Sequence, residues 1–433
     1  MRLVVILALL YPERDARPNG RFPEAQVLLT VPGENPAKTL YLRTTFGVLM
    51  SQDAGTSWRL VCEAALGFSG TWDPPLAVAR NGSLFVGLSD GLRTMRDGCA
   101  GTDVAALHGE VIADLTTDAR GELVAGITAT PNRPTRIFWI DPRTMAVQAH
   151  PAGAEGFKLE TLEVAPSRPT RVYATGVPTG GGPRAHFFRG ERGQKLVEVR
   201  AAWPFDALLY IAAIDPHRPE RVLVRALYAE GSDVLLTNDG GATWKSVLHV
   251  PSSMFGFAKS EDGTRYFAGS GDPQDGVYRS RDSGEHWEPI AHVRVYCLHW
   301  HQPDLFACST PYGKSAAFAA AVSHDEGATF ARLTGFDDIA GPVACEGNVC
   351  AEPWTAIRPT LVPQTTEAPD AGAAAESPST ASTAGDASLH APDASSTGEG
   401  SRGLRALAAV AVIVGALVAG FAVRRGRRSV DRR

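Results

Sequence analysis

A chain of 433 residues that is 44% hydrophobic carries enough apolar material for a real core, which excludes global disorder. Forty-four glycines and 30 prolines suit many short strands joined by tight turns. The formal net charge of −5 hides an asymmetry: eight arginines and one aspartate lie from Arg402 onward, so the body of the chain is acidic, which argues against nucleic-acid binding and favours neutral glycans, cations, peptides or basic proteins as partners.

In chain order, residues 1–19 read as a leader. Arg2 supplies a basic start and Leu3–Leu10 an apolar stretch, although polar Tyr11–Asn19 offers no clean small-residue cleavage site. Residues 24–357 hold an eight-residue pattern four times. The copies are Ser51–Trp58, Thr237–Trp244, Ser280–Trp287 and Ser323–Phe330, each Ser/Thr-x-Asp-x-Gly-x-(Ser/Thr/His)-(Trp/Phe). Their key residues are Asp53 and Trp58, Asp239 and Trp244, Asp282 and Trp287, and Asp325 and Phe330. The chemistry suits a tight hairpin: the carboxylate accepts loop N–H groups, Gly supplies a positive φ, and the aromatic staples the turn to an apolar surface.

Asp239, Asp282 and Asp325 are spaced 43 residues apart, a period that fits four short strands per unit. Steps of 44 from Asp53 reach Asp97 in a degenerate copy and then Asp141 in a plain turn, and Gly190–Gly193 fills the remaining gap. The expected fold is therefore all-β: a seven-bladed propeller of four-stranded antiparallel blades.

The repeat resembles that of the Asp-box (BNR repeat) β-propellers, among them bacterial sialidases, sortilin-type receptors, xyloglucanases and photosystem II assembly-factor propellers. The resemblance implies that the boxes are structural, on the turn between strands three and four, and that ligands bind on the opposite face. It does not imply an activity, because such relatives include hydrolases, receptors and assembly factors.

Six cysteines in an exported chain suggest three disulfides. Cys297 and Cys308 flank the Gln302-Pro303 turn about equally and should face each other on adjacent strands. Cys345 and Cys350 bracket a short loop, and Cys62 is left for Cys99 by elimination.

Residues 362–401, dense in Ala, Ser, Thr and Pro and free of Phe, Trp and Tyr, read as a disordered stalk. Residues 406–423 form an uncharged run just long enough to span a bilayer, and the basic tail 424–433 would then lie in the cytoplasm, with the propeller outside the cell membrane.

Candidate site chemistry is sparse. A sialidase needs three convergent arginines; Arg43 and Arg225 end second strands and are expected to point toward the channel, while Arg21-Phe22-Pro23 is a poor substitute for the family's first-blade motif. Asp73, Asp90 and Asp272 sit on ligand-face turns, where Asp is also an ordinary turn residue. His299 and His301, with His292 nearby, lack a third ligand, so no metal is expected. Trp72 and Trp203 fall on loops between blades. The expected ligand-binding set is Arg43, Trp72, Asp73, Arg225 and Tyr312, with no catalytic residue and no cofactor. The expected function is a membrane-anchored extracytoplasmic propeller that binds a glycan or protein partner. A sialidase-like glycoside hydrolase and an envelope assembly or scaffold factor are the alternatives.

Overall fold

The computed structural model describes residues 21–361 apart from 100, 119–120, 128–134, 152, 201–202, 204–205 and 312–317. The expected leader, stalk, membrane span, basic tail and Tyr312 lie outside the described residues. Among the described residues no helix is long and apolar enough to cross a membrane.

The strands pair into seven four-stranded sheets, each antiparallel and each built from consecutive strands of the chain. The first strand of every sheet is innermost. These strands are Ala25–Thr30, Leu76–Val78, Ile112–Thr117, Phe157–Val164, Leu208–Ile214, Met254–Lys259 and Cys297–His301. Each packs against the next, and the last returns to the first, which closes a ring of blades around a central channel.

The four repeated turns share one hydrogen-bond scheme. In blade one the Asp53 carboxylate accepts the Ser57 N–H at 2.8 Å and the Ser57 hydroxyl at 2.6 Å, while Ser51 Oγ accepts the Gly55 N–H at 2.9 Å. Trp58 is buried and donates its ring N–H to the Gly55 carbonyl at 2.9 Å. Asp239, Asp282 and Asp325 accept the equivalent N–H groups of Thr243, His286 and Thr329. The glycine is needed for two reasons. Gly55 has φ +87°, and a Cβ there would sit 3.1 Å from Leu333 of blade seven. Gly284 stands in the same relation to Leu223, and Gly327 to Ile290, so each of these turns nests against the preceding blade. The repeat is thus a joint between blades as well as a turn.

A second joint runs round the inner ring. Leu162 of blade four donates its N–H to Asp114 Oδ2 of blade three at 2.7 Å, and Ile211 of blade five donates to Thr161 Oγ1 of blade four at 3.0 Å. Each inner strand pairs on one side only, so alternate amides point away from their own sheet and are open to the neighbouring blade.

The cysteines require a correction. Cys297 and Cys308 face each other in the ladder and are bonded. The expected Cys345–Cys350 and Cys62–Cys99 pairs do not form: Cys62 bonds Cys350, and Cys99 bonds Cys345. The reason is a strap that follows blade seven. Gly341 accepts the Leu60 N–H at 2.9 Å and Val343 donates to the Leu60 carbonyl at 3.0 Å, so the strap lies along the outer strand Arg59–Cys62 of blade one. It carries Cys345 to blade two and Cys350 to blade one, and then continues as the helix Ala351–Leu361, whose Trp354 and Ile357 pack on the blade-one core.

Candidate functional site

Inner strands begin on the face away from the repeated turns, so connections between blades gather at that mouth of the channel. Between blades one and two they bring together Arg21, Gln26, Arg43 and Asp73. Arg21 grips Asp73 with two parallel bonds of 2.5 and 2.7 Å, and Gln26 Nε2 adds a third at 2.9 Å. The hydrogen bond to Asp73 raises the Arg21 pKa. Arg43 donates Nη1 to the Pro74 carbonyl at 2.9 Å, while burial lowers its pKa. Gln26 Oε1 and Arg43 Nε are buried without a hydrogen-bond partner. Trp72 is partly exposed beside this cluster and meets the Phe68 ring edge-to-face at 6.4 Å.

Arg225 occupies the matching place in blade five, at the junction with blade six. Its Nη1 donates to the Met254 carbonyl at 3.1 Å and to the Phe255 carbonyl, and its guanidinium lies 5.6 Å from the Tyr210 ring centre. Burial pushes its pKa down to about 10. The structure therefore groups Arg43, Trp72 and Asp73 at one junction and places Arg225 at another, with both arginines bound to main-chain carbonyls.

Other singled-out residues have local roles. Asp272 accepts the Gln274 N–H at 2.9 Å within its own turn. Trp203 packs on Trp244 at 5.3 Å, between blades four and five. Thr30 Oγ1 lies 2.8 Å from both His299 Nε2 and His301 Nδ1, and His301 Nε2 reaches the Glu34 carbonyl at 2.5 Å. Among the described residues no group of three or more His, Cys, Asp or Glu is placed to hold a metal ion.

Two features escaped the sequence reading. The first is a carboxyl pair on the inner strands of blades three and four. Burial, reinforced by Glu163, raises Asp114 to about 8, and burial raises Glu163 to about 7. Thr116 donates to Glu163 Oε2 at 2.9 Å, and Lys259, its own pKa lowered by burial, approaches from blade six. The signal was an acidic residue inside each inner-strand segment, Ile112–Thr117 and Phe157–Val164. The second is a cleft of about 520 Å³ on the face that carries the repeated turns, between blades one and two. It is assembled from four separate turns, so no local pattern announces it.

No protein-family model matches the chain, and no curated protein matches it in sequence. Solved structures do resemble it. An ancestral GH74 enzyme has a TM-score of 0.50 at 14% identity, over 72% of this chain and 46% of that one. A GH74 enzyme of Niastella koreensis has a TM-score of 0.41 at 13% identity, over 74% of this chain and 66% of that one. An extracellular domain assigned to a one-component system of B. thetaiotaomicron has a TM-score of 0.47 at 12% identity, over 69% and 38%. The chain spans about half the length of the first of these and less of the third. At such identities the likeness is one of fold: this is an all-β propeller of four-stranded antiparallel blades.

Proposed function

We propose that the propeller is a non-enzymatic binding domain of the Asp-box kind, displayed outside the cell membrane on the stalk and span read from the sequence. It takes a glycan or protein partner at the channel mouth opposite the repeated turns. The observation that carries this reading is the junction of blades one and two, where a partly exposed Trp72 adjoins the Arg21–Asp73–Gln26 cluster. An aromatic face beside fixed polar groups suits a sugar ring or a peptide side chain. Arg43 and Arg225 engage main-chain carbonyls at separate junctions, which weighs against a convergent carboxylate clamp of the sialidase type.

A hydrolase is the second reading, favoured by the Asp114–Glu163 pair. A carboxyl group held protonated near neutral pH is what a general acid requires. Glycan-array and pull-down binding by the full chain tests the first reading: Trp72→Ala should abolish binding. Binding that survives this change, or glycan cleavage lost on Glu163→Gln, would replace the first reading with the second.

A further inference from the structure

The cleft on the face of the repeated turns belongs to neither reading. Its walls come from the first turn of blade one, with Glu34, the repeat of blade one, with Gln52, the Arg80-Asn81-Gly82 turn of blade two, and Arg96 beyond the third strand of that blade. Tyr41 forms part of the lining, and its hydroxyl is already committed to the Gly82 carbonyl at 3.2 Å.

Two cations, Arg80 and Arg96, line the cleft together with the Glu34 carboxylate. Arg96 is exposed and is oriented by one contact, Nε to Ser83 Oγ at 3.3 Å. That contact leaves both terminal nitrogens of its guanidinium for a ligand. Arg80 is also exposed, and its stem is braced by Gly121, where a Cβ would lie 3.1 Å from Arg80 Cδ. Gln52 is exposed and adds an amide.

The acidic groups nearby are occupied. Glu34 Oε2 accepts the Lys38 and Thr39 N–H groups at 2.9 and 2.8 Å, and Oε1 accepts the Thr39 hydroxyl at 3.4 Å. Asp97, next to Arg96, accepts the Cys99 N–H at 3.0 Å. Three donors spread the Glu34 charge into its own loop. Asn81 is likewise spent, on the Ser83 N–H at 3.0 Å and the Pro142 carbonyl at 3.5 Å. The unspent hydrogen-bonding capacity in the cleft is therefore the planar fork of Arg96 and the amide of Gln52. A guanidinium fork matches the two oxygens of a carboxylate or sulfate.

We infer that this cleft binds a small molecule bearing a carboxylate or sulfate group, with Arg96 as the principal contact and Gln52 as a hydrogen-bonding partner. The volume suits a ligand of one or two sugar rings, near the lower part of the usual range of roughly 300–1,000 Å³. The site lies on the opposite face from Trp72, so its test is independent of the function proposed above.

The test is calorimetric and saturation-transfer NMR titration of the full chain with sodium sulfate, glucuronate and glucose. Sulfate or glucuronate should bind saturably, and glucose should not. Arg96→Gln should weaken binding by about tenfold or more, and Arg96→Lys by less, because charge survives while the fork is lost. Trp72→Ala should leave anion binding unchanged. Tighter binding of glucuronate would assign a sugar acid, and tighter binding of sulfate a sulfate group. Arg96→Gln should keep the wild-type melting temperature, since the side chain makes one long contact of 3.3 Å. Failure of both anions to bind, equal binding of glucose, or unchanged binding in a folded Arg96→Gln variant would each overturn the assignment.

Discussion

Cys350 of the C-terminal strap is bonded to Cys62 of blade one, across 288 residues of sequence. Each blade is made of consecutive strands, so no strand is exchanged between the two chain ends to hold the ring shut. The strap does this instead, with Cys99–Cys345 as a second rivet on blade two.

Removing the strap's bonds should therefore loosen the whole ring. Either disulfide alone keeps the strap in place and leaves the other to close a loop of about 40 residues rather than one of more than 240. Loss of one should cost about 2–4 kcal/mol, and loss of both more than the sum of the single changes. Scanning calorimetry of Cys345→Ser, Cys350→Ser with its unpaired partner also replaced, and the combined variant would check this. Additive losses would mean that the two bonds act independently.

The contact between blades seven and one depends on a neutral histidine. Burial lowers His299 from 6.5 to about 4, with His301 adding a smaller push in the same direction. A depressed histidine pKa means that the unfolded chain binds the extra proton first. Stability from this group is full above about pH 6.5 and is lost as the pH falls toward 4. Urea denaturation between pH 4 and 7 should show the decline, and His299→Gln should flatten it. Thr30→Val, which removes the hydroxyl shared by both rings, should cost about 1–3 kcal/mol at pH 7.

The Asp114–Glu163 pair acts in the opposite sense. Both carboxyls are raised, from 3.8 to about 8 and from 4.5 to about 7, because burial disfavours their charged forms. Their contribution is fully present below about pH 4 and is lost as the pH rises through 7 and 8. Glu163→Gln keeps an acceptor for Thr116 and removes one charge. It should flatten the decline of stability between about pH 4 and 8, which denaturation at stepped pH would reveal.

Arg43 and Arg225 should behave as clamps between blades. Each reaches from a second strand to carbonyl oxygens at the start of the next blade. Replacement of either by Ala strands a buried acceptor, with an expected cost of about 1–3 kcal/mol in chemical denaturation. A variant of Arg43 that lost partner binding at unchanged stability would instead make it a ligand contact.

Much of the architecture was legible because it is local. The Asp, Gly and aromatic of each repeat are two to five residues apart and satisfy one another within a single hairpin, so spacing alone announced the turns and the four-strand period. Cys297 and Cys308 were legible for the same reason, being opposite each other across one turn. Tertiary structure decided whatever depends on contacts between blades. Cys345 and Cys350 are close in sequence, yet the strap delivers them to two different blades. Arg21 and Asp73 are 52 residues apart, and Asp114 meets the Leu162 amide across 48; nothing in either segment names its partner. A residue on an inner strand sees its own hairpin through short-range pattern, whereas its charge state and its neighbours are set by where the ring closes.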